Sequence, residues 1–113
     1  MEFIGKTRLL KLKKKNKGNT DLCNAIDQLI TDIESNSWTN EKELKAIRPD
    51  ADQVHNDGFY FFDIHIHRTL ILIEFGQDGI ADVVWADNHA EYERTFKNNK
   101  AVIAKWLKDR GHI

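Results

Sequence analysis

His89 and Tyr92, three residues apart behind a β-branched and aromatic run that ends at Trp85, have the residue types for chemistry on a phosphodiester. Asn88 reads as a helix N-cap and Glu91 as its N3 partner in a capping box. His89 then falls in the first turn and Tyr92 on the same face. A helix N-terminus carries about half a positive charge and free amide donors, and so attracts phosphate. The same field disfavours an imidazolium, keeping His89 neutral and able to accept a proton. A base beside a phosphate site, with a phenol next to it, meets the needs of 2′-hydroxyl attack on RNA. The plainer alternative is that His89 extends the cap and Tyr92 packs against Phe96.

Two further cations suit the same chemistry. Arg68 heads a strand and Lys45 precedes the loop at Pro49. Either can contact a phosphate oxygen, and arginine does so bidentately; an exposed, solvated charge is the alternative. The first helix carries Lys11, Lys13, Lys14 and Lys15, which read either as a solvated face or as a sequence-blind contact with an RNA backbone. Asp63, His65 and His67 would share a face of a regular strand and could hold a transition metal, but they fall where a hairpin turn is expected, and the site is read without metal. Walker, GxGxxG, GxSxG and CxxC patterns are absent. Trp38, Trp85 and Trp106 read as packing residues, and Cys23 as a small buried hydrophobe.

The elements that must position these residues follow from periodicity. Glu2 to Gly5 reads as a short strand and Thr7 as the cap of the lysine-rich helix, which Gly18-Asn19 interrupts. Thr20 caps an amphipathic helix carrying Leu22, Ala25, Ile26, Leu29, Ile30 and Ile33. A short helical turn begins near Thr39-Asn40 and carries Leu44, Lys45 and Ile47; Asp50 to Gly58 reads as loop. Phe59–Ile64, Thr69–Phe75 and Ile80–Trp85 read as strands, the first two separated by His65–Arg68. Asn88 starts a helix through Phe96, and Lys100–Arg110 forms the last, stopped by Gly111. The expectation is an α+β domain over residues 1–113, with two N-terminal helices on one face of a small, mostly antiparallel sheet and helices at the C-terminal end.

Length and composition agree. The chain has 113 residues, 17 Lys+Arg against 18 Asp+Glu, and 41% hydrophobic residues. That supports one globular core and excludes collagen, coiled coil and low-complexity disorder. A single cysteine cannot close an internal disulfide. With no signal-like or membrane-spanning apolar run, the expectation is a cytoplasmic protein without a membrane partner.

On these residues the chain resembles the HigB family of toxins, within the RelE-like superfamily of mRNA interferases. The matching blocks are Trp38–Val54, Phe59–Phe75 and, most specifically, Val83–Phe96 with its His-Ala-Glu-Tyr. The resemblance implies a compact RelE-like fold and a cofactor-free endoribonuclease that cleaves mRNA, usually on the ribosome, leaving a 2′,3′-cyclic phosphate. It also implies a cognate helix-turn-helix antitoxin (HigA-like). Lys45, Arg68, His89 and Tyr92 match family positions: His89 would transfer the proton, Tyr92 would assist or position, and Arg68 and Lys45 would stabilise charge. Three positions depart from the pattern: Asn88 stands where threonine is common, Glu93 where aspartate is, and His65-Ile66-His67 replaces a Gly/Asn-rich turn. That turn leaves His65 or His67 as a candidate second catalytic histidine.

Overall fold

The computed structural model describes every residue from Met1 to Ile113. In chain order the elements are β1 (Glu2–Ile4), α1 (Lys6–Lys15), α2 (Thr20–Glu34), α3 (Glu41–Ile47), β2 (Asp52–His55), β3 (Phe59–Ile64), β4 (His67–Glu74), β5 (Ile80–Asn88), α4 (His89–Phe96) and α5 (Lys100–Asp109). The strands form one sheet in the order β1-β5-β4-β3-β2, antiparallel except where β1 runs parallel to β5. This is the α+β architecture expected, with one strand more than the periodicity implied. Asp50–Gly58 is not all loop: Asp52–His55 pairs with β3 at the sheet edge. A four-residue edge strand with three polar residues carries too little alternation to stand out.

Each face of the sheet builds its own core. On one face Leu9 and Leu12 of α1, the Leu22/Ile26/Leu29/Ile30/Ile33 stripe of α2, Trp38 and Leu44 pack on Tyr60, Phe62, Ile64, Ile71, Ile73, Ala81 and Val83. On the other, Tyr92 and Phe96 of α4 and Ile103 and Leu107 of α5 pack on Phe59, Phe61, Leu70 and Val84. Alternation along β3 delivers Tyr60 and Phe62 to the first layer and Phe59 and Phe61 to the second. In β5 the alternation breaks. Leu70 pairs with Trp85 but Ile71 with Val83, leaving Val84 as an extra residue. Val84 and Trp85 therefore both serve the second layer.

The caps differ in detail from expectation. Asn19, not Thr20, caps α2, its side chain accepting from Leu22 N. No side chain caps α1; Gly5 precedes it at φ 74°, and Thr7 lies inside the helix. Gly5 is required there twice over, because an added Cβ would also sit 2.6 Å from the Val83 carbonyl oxygen. The turn between β3 and β4 is only His65-Ile66, with His65 at φ 61°. Strand β4 thus begins two residues before Thr69, at His67.

Candidate functional site

The site forms where β4 begins and β5 passes directly into α4. Asn88 caps α4 by accepting from Glu91 N at 2.8 Å. Only half of the expected capping box is present: the Asn88 N–H goes to Asp87 Oδ1, and the Glu91 carboxylate pairs with Arg94 at 3.1 Å. His89 is the first helical residue, its side chain 66% exposed, with Nε2 3.5 Å from Glu93. One turn on, Tyr92 is 3% exposed, and its ring stacks near-parallel to His89 at 5.9 Å between centroids.

Cross-strand register brings Arg68 to the same place. Arg68 pairs with Asp63 on β3 and Asp87 on β5, so the three side chains lie abreast on the layer that holds Tyr92. Its guanidinium sits 4.7 Å over the Tyr92 ring and 5.1 Å over Phe61. Nε donates to Asp63 Oδ1 at 3.0 Å, while the two terminal nitrogens have no protein partner. The guanidinium fork is thereby aimed and left free to grip an anion. The Tyr92 hydroxyl is committed instead, donating to Asn98 Oδ1 at 2.9 Å. This phenol holds its neighbours in place from below.

Of the other sequence candidates, Lys45, Lys13 and Lys14 make their contacts elsewhere. Lys45 is on α3, whose Leu44 enters the opposite core, and its amine faces Glu41 at 3.6 Å. Lys13 is tied to Asp27 of α2 at 2.7 Å, a bond that raises its pKa, so one member of the lysine run staples two helices. Lys14 lines a separate hollow with Cys23, whose thiol is half-buried rather than sealed in the core. Lys11 and Lys15 face β5 near Asp87.

Asp63, His65 and His67 are split. Asp63 holds Arg68 on one face, while His67 pairs with Ile64 toward the other and is 7% exposed. Burial lowers the His67 pKa; the charge of Asp87 offsets this in part and His65 adds to it. The His67 Nδ1 has no hydrogen-bond partner. No three His, Cys, Asp or Glu side chains gather as a metal would need.

Two members of the cluster escape a reading of the chain by spacing. Asp63 aims Arg68 only because a two-residue turn sets them opposite each other, and Asn98 meets Tyr92 only because Lys97 and Asn98 take left-handed backbone angles of 52° and 47°.

A model for HigB toxins, the RelE-like toxic component of a toxin-antitoxin system, matches residues 23–95. The chain belongs to that family. Its match spans α2 to α4 and so includes every residue of the cluster except Asn98. A toxin of this kind has an antitoxin as its partner. No protein with a curated description matches the chain, and no helix of this toxin is long and apolar enough to cross a membrane.

Proposed function

We propose that this toxin is a metal-independent mRNA endoribonuclease that acts in the cytoplasm on ribosome-bound message and is held in check by a helix-turn-helix antitoxin. One observation carries the reading: an exposed imidazole and a guanidinium with a free fork rest on the same tyrosine ring. Imidazole exchanges protons near neutral pH, and the fork matches the non-bridging oxygens of a phosphate. His89 takes the proton of the 2′-hydroxyl, the 2′-oxygen bonds to phosphorus, and the bond from phosphorus to the 5′-oxygen breaks. His89 then returns the proton to the departing 5′-oxygen, leaving a 2′,3′-cyclic phosphate and a 5′-hydroxyl. Arg68 stabilises the charge that builds on the phosphorane. Tyr92 positions both groups, and Lys11, Lys14 and Lys15 contact the sugar-phosphate backbone.

Purified toxin added to ribosomes carrying a defined message tests this. Cleaved message with a 2′,3′-cyclic end, lost in His89→Ala and Arg68→Ala, is the expected result. The two carboxylates flanking Arg68 favour a second reading, a non-catalytic RNA- or ribosome-binding module. Bound but intact message would establish that reading instead.

A further inference from the structure

Three adjoining surface clefts share Arg8 and together form a groove on the side of the molecule where α1 meets the sheet edge. One wall is α1, which presents Arg8, Lys11 and Lys15; their spacing of three and then four residues puts all three on one face. The other wall holds Thr95 of α4, Trp106 of α5 and, beyond it, Arg110 and His112. Arg110 lies 4.3 Å over the Trp106 ring, and His112 stacks on it at 5.8 Å.

The floor is the edge of β5 from Val84 to Asp87. β1 covers β5 only from Ile80 to Asp82, and Gly5 turns the chain away beside Val83. Beyond that point β5 has a strand on its β4 side alone. A strand edge left this way offers backbone donors and acceptors to any chain that can lie alongside.

We propose that this groove docks an extended, acidic segment of a partner polypeptide as a sixth strand along Val84–Asp87. Successive side chains of a strand point to opposite sides. One set would meet the cations of α1, the other Trp85 and Trp106, so the matching segment alternates acidic with apolar residues. The backbone edge favours a peptide over a polynucleotide, because an extended peptide returns N–H and C=O groups at the spacing of the strand edge, which a sugar-phosphate backbone does not. A segment bound here would neutralise Lys11 and Lys15. The inference rests on the family's antitoxin partner and is independent of the nuclease reading.

The test uses the full-length toxin and a labelled synthetic peptide of about eight residues alternating glutamate and valine, a typical strand length. Binding is followed by fluorescence anisotropy. The Arg8→Glu/Lys11→Glu variant should bind at least about ten-fold more weakly, while Lys42→Glu, on α3, should bind as the wild type does. The same peptide N-methylated at alternate amides should also lose about ten-fold or more against the unaltered protein, since it cannot form the ladder. This arm depends on no variant folding. His89→Ala should bind the peptide normally whether or not the wild type cleaves RNA, so the two readings fail separately. No peptide binding, or binding indifferent to N-methylation, overturns the proposal. So does an oligoribonucleotide that needs Arg8 and Lys11 where the peptide does not bind.

Discussion

The guanidinium carbon of Arg68 lies 4.7 Å from the centre of the Tyr92 ring, on the ring that His89 also stacks against. Arg68 of β4 and His89 of α4, more than twenty residues apart in sequence, thus share one aromatic platform. Asp63 fixes the third side of the arginine. Arg68→Ala should lower the cleavage rate on programmed ribosomes by about 100-fold or more, the usual loss when one charge-stabilising donor is removed. Arg68→Lys should recover little, because an ammonium cannot reproduce the planar fork or its stacking. Lys45→Ala should stay within about two-fold of wild type, being an exposed amine paired only with Glu41.

Tyr92 distinguishes positioning from proton donation. With its hydroxyl given to Asn98, Tyr92→Phe should keep cleavage within a few-fold of wild type and cost about 1 kcal/mol of stability, one hydrogen bond. Tyr92→Ala removes a buried ring and should cost about 3–5 kcal/mol and abolish cleavage. A Tyr92→Phe protein of nearly normal stability and no activity would make the phenol a proton donor. Urea denaturation alongside the cleavage assay measures both.

The buried His67 imparts a pH dependence to folding. Its folded pKa is lowered, chiefly by burial, so below about 6.5 the unfolded chain binds a proton that the folded one resists. Stability therefore falls as pH drops from about 6.5 toward the lowered value. His67→Gln should flatten that slope between about pH 7 and pH 5, the range in which an imidazole titrates. Denaturant midpoints of the two proteins across that range give the difference directly.

Asn88→Ala should destabilise the toxin by about 1 kcal/mol, the usual cost of an N-cap, since its side chain holds Glu91 N. Asn88→Ser should restore most of it. The same pair should show whether cleavage depends on the first turn that carries His89: activity lost with Ala and regained with Ser links the cap to catalysis.

Much of this arrangement was legible in the residues because local signals and tertiary packing agree. The stripe of α2, the aromatic run of β3 and the Asn88–Tyr92 segment each adopt the element their spacing dictates. What stayed hidden is set by contacts between distant segments. The extra residue at Val84 shifts the parity of β5, so strict alternation puts Trp85 on the wrong layer. Lys45 has a residue type suited to the chemistry, yet α3 packs on the face away from Arg68. The lysine run looks uniform along the chain; the turn of the helix divides it between a staple to α2, a hollow near Cys23 and the β5 groove. Arg8 belongs with Lys11 and Lys15 by spacing alone, and that grouping was readable.

The left-handed residue at Gly5, pressed against Val83, joins β1 to α1 with no slack. Each residue inserted or deleted at this joint would rotate α1 by about 100°, swinging the row of Arg8, Lys11 and Lys15 off the sheet edge. Natural variants of this toxin should therefore show length changes around Gly18, where an added Cβ would meet nothing, and a constant number of residues between Ile4 and Arg8.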